Sequence, residues 1–138
     1  MPKKRLLVTD IDAQLRDSLS EAFKSQFDVL ATPSIEEAIR EATINQPSCI
    51  LLDTGMPQMG ASMLCKILRS MPETETIPVV LTGFQPRSAC WGTVKQMEPF
   101  DYIEKPFDVD RIQQAVEDAG HAAPADPGEP VVGVVDVD

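Results

Sequence analysis

The sequence predicts an α/β fold, in which a five-stranded parallel sheet is doubly wound by five helices. Two observations lead to this prediction. Short apolar segments alternate five times with helical patterns along the first 120 residues, as a series of βαβ units requires. In addition, four of the five strand candidates end in a reactive polar side chain, and open parallel sheets bind ligands just outside the carboxyl ends of their strands.

The first two strand–helix units follow this alternation closely. Residues 6–9 form an apolar run, and the next helix has apolar residues at i, i+4, i+7 and i+8 from Leu15. Residues 27–31 form the second strand candidate, which ends without a reactive side chain. Ser34 and Glu37 have the spacing of a capping box at the start of the second helix. A strand order of 2-1-3-4-5 would leave the second strand at an edge, away from the site.

The third and fourth units differ in the strength of their patterns. Residues 49–52 are an apolar strand candidate, and the helix predicted over 61–71 has an inward stripe that includes Met63. Residues 79–81 form the next strand candidate. The helix predicted over 86–97 has a thin apolar stripe and a glycine in its middle, which lowers helix propensity. We therefore expect this fourth helix to have low local stability.

The fifth unit ends the predicted domain. Residues 102–104 form the last strand candidate, and Asp108 is placed to cap the last helix. After Gly120 the composition changes to Ala, Pro and Gly. We therefore expect one domain over residues 1–120 and a flexible, Pro-rich, acidic tail or linker over residues 121–138.

Composition argues against several classes of function. The net charge of −10 disfavours direct binding to nucleic-acid phosphates. The three cysteines form no C-x-x-C pair and lie in apolar segments, so we expect neither a disulfide framework nor a zinc site. No apolar stretch approaches the roughly 20 residues needed to span a bilayer, and the first residues do not resemble a signal peptide. We expect a cytoplasmic protein that does not bind membranes.

Four strand ends carry groups that suit phosphate chemistry. Asp10 follows the first strand candidate, Asp53 the third, Thr82 the fourth and Lys105 the fifth. Because these ends share one edge of a parallel sheet, we expect two carboxylates, a hydroxyl and an amine to lie close together. This combination predicts a phosphate-handling site.

The same residues resemble a known family. Asp10, the turn Asp53-Thr-Gly-Met-Pro, the strand-terminal Thr82 and the segment Lys105-Pro-Phe occur in this order. The order and spacing resemble the receiver domain of bacterial two-component response regulators, and the resemblance covers about residues 4–120. It implies a flavodoxin-like fold with the strand order 2-1-3-4-5.

The resemblance implies a role for each residue of the site. Asp53 is the expected acceptor of a phosphoryl group from a histidine kinase or a phosphotransfer protein. Lys105 is expected to pair with the phosphoryl oxygens, and Thr82 to turn inward and hydrogen-bond to them. Tyr102 resembles the aromatic residue that swings inward with this threonine, and the small Gly83 leaves the crevice open to a phosphodonor. Catalysis would be limited to self-catalysed phosphoryl transfer and dephosphorylation.

The expected cofactor is Mg²⁺, and here the chain departs from the family it resembles. The resemblance implies metal ligands at Asp10, Asp53 and the backbone carbonyl of Gly55. Ile11 occupies the position of a further acidic ligand, although Mg²⁺ requires near-octahedral oxygen coordination. Three outcomes stay open: water fills the position, a shifted loop brings Asp12 to the ion, or metal binding is weak. Asp12 is also a candidate N-cap of the first helix.

The resemblance also implies protein partners. The face formed by the fourth helix, the fifth strand and the fifth helix is expected to bind a partner protein, an output domain or a second copy of the chain in a homodimer. The chain is expected to be a stand-alone receiver, or the receiver part of a longer regulator whose output domain follows the Pro-rich segment.

Two other functions stay open on the sequence. Asp10-Ile-Asp12 looks like the D-x-D motif of haloacid-dehalogenase-like phosphatases, with Asp10 as nucleophile and Asp12 as general acid, but this hypothesis leaves Asp53 unexplained. A receiver-fold binding module that does not depend on phosphorylation is favoured by Ile11. Substitution distinguishes the phosphatase from a phosphorylated receiver domain, because Asp10→Asn should abolish phosphatase turnover, whereas Asp53→Asn should abolish phosphorylation.

Overall fold

The computed structural model describes residues 3–121 as five parallel strands that alternate with five helices. The strands are β1 (Lys4–Thr9), β2 (Phe27–Thr32), β3 (Cys49–Asp53), β4 (Val79–Gly83) and β5 (Asp101–Glu104). The helices are α1 (Ala13–Phe23), α2 (Ile35–Asn45), α3 (Gly60–Arg69), α4 (Arg87–Val94) and α5 (Val109–His121). The sheet order is β2-β1-β3-β4-β5 and every pairing is parallel, which confirms the predicted fold. His121, the first residue of the tail predicted over 121–138, is the last residue of α5, and residues 122–138 lie outside the described residues.

The helices begin and end where local hydrogen bonds can satisfy their terminal groups. The Ser34 hydroxyl accepts a bond from the Glu37 amide at 3.2 Å and caps α2, as the capping box predicts. Asp108 Oδ1 accepts from the Arg111 amide at 2.9 Å and caps α5. Gln46 ends α2 in the left-handed region, with φ of 45°. Within residues 3–121, no helix has the length and apolar content to cross a lipid bilayer.

The sheet separates two apolar layers. Helices α2, α3 and α4 pack on one face, and helices α1 and α5 pack on the other. Strands β3 and β4 are buried along their whole length, which explains why both are continuous apolar runs rather than alternating patterns. This double cover fixes the strand ends relative to one another, and the candidate site is built on those ends.

Two helices on the same face differ from the sequence prediction. Helix α3 ends at Arg69 rather than at residue 71, and Met63, predicted to face inward, is 52% exposed. The buried stripe of α3 runs through Ala61, Leu64, Cys65 and Leu68 instead. Helix α4 ends at Val94, and the segment Lys95–Met97 continues as a single 3₁₀ turn. Only Cys90 and Val94 of α4 are buried, in line with its thin apolar stripe.

Candidate functional site

The four predicted residues meet at the carboxyl edge of the sheet. Asp10 directly follows β1, and Asp53 is the last residue of β3. Thr82 pairs in register with Asp53 on the neighbouring strand β4, and Lys105 directly follows β5. The side chains of Asp10, Asp53 and Lys105 are each less than one-tenth exposed. The fold therefore concentrates two carboxylates, a hydroxyl and an ammonium group at the ends of four adjacent strands.

Lys105 lies between the two carboxylates. Its Nζ is 2.7 Å from Asp10 Oδ2 and 3.4 Å from Asp53 Oδ1. Buried charges are tolerated in proteins when they are paired, because an unpaired one loses its hydration without compensation. One ammonium group thus offsets two carboxylates, and it holds both of them at the opening of the crevice.

Backbone amides fix the second oxygen of Asp10 and add a further bond to Asp53. The amide of Asp12 donates to Asp10 Oδ1 at 2.9 Å, and the amide of Gly55 donates to Asp53 Oδ1 at 3.1 Å. The backbone of Thr82 is held by a hydrogen bond, because its carbonyl accepts from the Thr54 amide at 2.8 Å. These bonds leave the two carboxylates with defined orientations.

Tyr102 lies inward on β5, next to the site. It is 2% exposed, and its hydroxyl donates to the carbonyl of Gln85 at 2.7 Å. Burial raises the pKa of the Tyr102 phenol, and a hydrogen bond with the Cys90 thiol adds to the effect. The phenol therefore stays neutral over the whole physiological pH range.

Sequence reasoning did not single out two residues that contact the site. Arg16 Nη1 donates to the backbone carbonyl of Asp10 at 2.7 Å. Phe84 is 76% exposed, and the Nζ of Lys105 lies 5.2 Å from the centroid of its ring, within the range of a cation–π contact. Neither residue carries a signal in the sequence, because both contacts depend on how the loops fold over the strand ends.

The loop after β1 exposes Ile11 to solvent and places Asp12 at the start of α1. Ile11 is 56% exposed to solvent. Asp12 Oδ1 accepts from the amides of Gln14 at 2.9 Å and Leu15 at 3.2 Å, which makes Asp12 the N-cap of α1. The N-cap interpretation of Asp12 accounts for its contacts.

Removal of this cap should weaken the fold by a modest amount. We expect Asp12→Ala to lower the free energy of unfolding by about 1 kcal/mol, because two amides of the first turn lose their acceptor. Asp12→Asn keeps a side-chain acceptor and should stay within about 0.5 kcal/mol of the wild type. Urea unfolding followed by circular dichroism measures both variants, and equal stability of Asp12→Ala and wild type would contradict the capping role.

The residues present can hold Mg²⁺ only with help from other ligands. Within residues 3–121, no three acidic, histidine or cysteine side chains cluster as a metal site. The candidate donors are the carboxylates of Asp10 and Asp53 and the carbonyl of the exposed Gly55. Mg²⁺ commonly binds one or two carboxylates and completes its shell with water and phosphate oxygens. The set fits such a site, with one carboxylate fewer than the resemblance implies.

The face formed by α4, β5 and α5 carries a polar network. Asp101 Oδ1 accepts from Arg87 Nη1 at 2.8 Å, and Asp101 Oδ2 accepts from Arg111 Nη2 at 2.9 Å. Burial alone would raise the pKa of Asp101, but hydrogen bonds from the two guanidinium groups outweigh it and lower the pKa below its ordinary value. Arg87 also lies over the ring of Trp91, 4.2 Å from its centroid. Asp101 thus links α4 to α5 across β5.

Comparison with known sequences gives one family and a set of curated relatives. Residues 6–117 match the family model described as "Response regulator receiver domain". The transcriptional regulatory protein PrrA of Mycobacterium tuberculosis is 31% identical over 141 residues. That alignment covers 97% of this chain and 59% of PrrA, so the chain spans little more than half the length of this relative.

Comparison with solved structures gives the same fold. The receiver domain of the Francisella response regulator 1452 superposes with a TM-score of 0.78 and 22% identity, over 88% of this chain and 100% of that one. The signal receiver domain of a LuxO repressor protein from Vibrio parahaemolyticus superposes with a TM-score of 0.78 and 19% identity, over 88% and 92% of the two chains.

Proposed function

Because the chain belongs to the family of response regulator receiver domains of two-component signalling, we propose that it is a phosphorylation switch with Asp53 as the phosphoacceptor. The proposed donor is the phosphohistidine of a histidine kinase or a phosphotransfer protein. The observation that carries this proposal is the position of Lys105, whose ammonium group lies between the carboxylates of Asp10 and Asp53 at the strand ends.

The proposed reaction transfers a phosphoryl group from an imidazole nitrogen of phosphohistidine to a carboxylate oxygen of Asp53. A carboxylate oxygen of Asp53 attacks the phosphorus atom of phosphohistidine, forms a P–O bond and so becomes an acyl phosphate. The P–N bond breaks, its electron pair returns to the imidazole nitrogen, and the imidazole takes a proton from solvent. The protein contributes position and charge neutralisation to this step, and water reverses the modification when it attacks the acyl phosphate.

The other site residues act on the charge that the reaction brings in. The phosphoryl group carries a charge of about −1.5 to −2, which replaces the single charge of the Asp53 carboxylate and lies beside the carboxylate of Asp10. In our proposal the Lys105 ammonium binds the phosphoryl oxygens and the Thr82 hydroxyl donates to one of them. Tyr102 is the aromatic residue that reports this change to the face formed by α4, β5 and α5, where an output domain, a partner protein or a second copy would bind.

Magnesium is part of the proposal with a reduced set of protein ligands. Asp10, Asp53 and the carbonyl of Gly55 would hold the ion, and Asp12 is engaged as the N-cap of α1. When bound, the cation supplies positive charge to the phosphoryl oxygens. Carboxylate count is a main determinant of affinity for hard cations, and Ile11 removes one carboxylate from the set. We therefore propose weak binding that tightens when phosphate oxygens complete the shell.

Restoring an acid at position 11 should strengthen metal binding. We expect Ile11→Asp to raise the affinity for Mg²⁺ by at least about tenfold, because it adds a carboxylate next to Asp10. Ile44→Asp is the matched control, since Ile44 is 70% exposed on α2 and the substitution makes the same change in net charge. Calorimetric titration with MgCl₂ compares the three proteins. Equal affinities for wild type and Ile11→Asp would show that position 11 does not limit binding.

Labelling by a small phosphodonor tests the proposed function. We expect incubation with acetyl phosphate and MgCl₂ to add one phosphoryl group, detected as a mass increase of the intact protein, and peptide mapping to place it on Asp53. Hydroxylamine should remove the label, because it cleaves acyl phosphates. Absence of a label with every donor and metal would overturn the phosphorylation switch and favour a binding module of the same fold.

Family membership and geometry bear on the alternatives. The haloacid-dehalogenase-like phosphatase needs Asp12 as a free general acid, whereas Asp12 caps α1.

A cytoplasmic location is part of our proposal, since the three cysteines are buried thiols that suit a reducing compartment. Burial raises the pKa of Cys49 to about 12 and that of Cys65 to about 11, so both thiols are protonated and unreactive at neutral pH.

A further inference from the structure

Hydrogen bonds fix the amide, the carbonyl and the carboxylate of Asp10 at the end of β1. Its amide donates to the Thr32 carbonyl at 3.2 Å, and its Oδ1 accepts from the Asp12 amide at 2.9 Å. Its Oδ2 accepts from Lys105 Nζ at 2.7 Å, and its carbonyl accepts from Arg16 Nη1 at 2.7 Å. Both the backbone and the side chain of this buried aspartate are therefore held in place.

Arg16 reaches the Asp10 carbonyl from the first turn of α1. Its own amide donates to the Asp12 carbonyl at 3.0 Å, so the start of the helix holds the guanidinium beside the loop. Hydrogen bonds from a charged donor are shorter and stronger than neutral ones. The bonds with Thr32 and Asp12 use backbone groups, which substitution cannot remove. Lys105 belongs to the site, so Arg16 is the outer side chain whose removal tests how firmly Asp10 must be held.

The same bonds orient the loop around Ile11. The bond from Arg16 fixes the peptide plane that precedes Ile11, and the bond from the Asp12 amide to Asp10 Oδ1 fixes the plane that follows it. With both planes fixed, Ile11 is directed to solvent and Asp12 stays at the N-cap of α1. Asp10 is therefore the acidic side chain that this loop presents to the crevice.

The orientation of Asp10 matters because the proposed Mg²⁺ site has few carboxylates. Asp53 is the other acidic donor, and position 11 offers no oxygen. A ligand that is already oriented binds more tightly than a mobile one, because less conformational freedom is lost on binding. Outer partners that orient metal ligands typically contribute about 10–100-fold in affinity. A loosely held Asp10 would therefore cost this reduced site a large share of its affinity.

From these contacts we infer that Arg16 is a positioning residue for the metal site, which holds the backbone of Asp10 so that its carboxylate can bind Mg²⁺. Arg16 acts through Asp10 and does not itself contact the ion or the phosphoryl group. This role deepens the proposed function and rests on it for Asp10 as a ligand. A positive charge near the site repels Mg²⁺, so charge alone would make binding tighter when Arg16 is removed. Positioning predicts the opposite sign.

Titration with MgCl₂ tests this role without any phosphodonor. We expect Arg16→Met to weaken Mg²⁺ binding by at least about tenfold, measured by calorimetry on the folded protein. Methionine keeps an unbranched side chain in α1, so the variant should fold. Arg16→Lys keeps a cationic donor and should recover most of the affinity. Arg40→Met removes the same charge from an exposed position of α2 and should not weaken binding.

Hydrogen exchange at the Asp12 amide reports the loop itself and does not depend on the metal. This amide donates to Asp10 Oδ1, and we expect it to exchange at least about tenfold faster in Arg16→Met than in wild type, because local opening becomes more frequent. The Glu37 amide, which donates to the Ser34 hydroxyl at the start of α2, should exchange at the same rate in both proteins. Nuclear magnetic resonance measures both amides.

Phosphorylation is scored separately, so either idea can fail alone. At limiting MgCl₂, acetyl phosphate should label Arg16→Met more slowly than wild type, and saturating MgCl₂ should restore the wild-type rate, because the acceptor Asp53 is unchanged. Equal or tighter Mg²⁺ binding in Arg16→Met, no Mg²⁺ binding in wild type, or unchanged exchange at Asp12 would overturn the inference. Failure to label wild-type Asp53 under every condition would overturn the proposed function and leave the calorimetric and exchange results standing.

Discussion

Asp53→Asn will abolish incorporation of a phosphoryl group from acetyl phosphate. The amide lacks the negative oxygen that attacks phosphorus, and the acyl phosphate cannot form on it. The fold should survive the change, because Lys105 keeps its closer partner, Asp10, at 2.7 Å. Intact mass after incubation with the donor measures the effect, and the expected labelled fraction is zero under conditions that label the wild type.

A matched substitution on the edge strand controls for the loss of a carboxylate. Asp28→Asn makes the same change in charge on β2, where the side chain is exposed and far from the strand ends that form the site. We expect it to be labelled like the wild type. Label that persists in Asp53→Asn, or that maps to Asp10, would contradict the assignment of the acceptor and revive the phosphatase alternative.

Lys105→Met will impair both stability and chemistry. The substitution leaves two buried carboxylates without their shared cation, and breaking a buried ion pair from one side typically costs about 3–5 kcal/mol. We expect a loss of this size in the free energy of unfolding, measured by urea denaturation. Labelling of Asp53 should fall by at least about a hundredfold, as when one charge-stabilising donor is removed from an active site.

Two further variants separate the stability effect from the chemical effect. Asp10→Asn combined with Lys105→Met removes one of the unpaired carboxylates, so we expect it to recover part of the lost stability while labelling stays low. Lys66→Met removes an exposed lysine from α3 and should alter neither property. If Lys105→Met unfolds at the same urea concentration as the wild type, the ion pairs of Lys105 with Asp10 and Asp53 do not stabilise the fold.

The sequence was sufficient to predict the sheet and the side chains that lie at its strand ends, because both depend on local patterns. Apolar runs of four and three residues identified β3 and β4, and the side chain after each run identified Asp53 and Thr82. The resemblance to receiver domains then supplied the strand order 2-1-3-4-5, which the structure confirms. The resemblance to receiver domains is confirmed by the family match over residues 6–117.

Features that depend on distances through space could not be predicted. Met63 lies outside the buried stripe of α3, and Gly60, at the start of this helix, packs so closely against Ile35 of α2 that a Cβ would lie 2.6 Å from it. A helical wheel carries no information about that contact. In the same way, nothing in the sequence relates Gly83 to the hydroxyl of Tyr102, since the two residues meet only when β4 and β5 pair.

The network around Asp101 has a consequence for how fast a partner can bind. Its one carboxylate pairs with both Arg87 and Arg111 and offsets one of their two positive charges, so the three groups together add a single positive charge to the long-range field on the face formed by α4, β5 and α5. Electrostatic steering accelerates encounter only where such a field extends about one Debye length into solvent. Against the net charge of −10 of the whole chain, this cluster should therefore add little steering of its own, and its contribution to selectivity among partners would come from shape and contact once they meet.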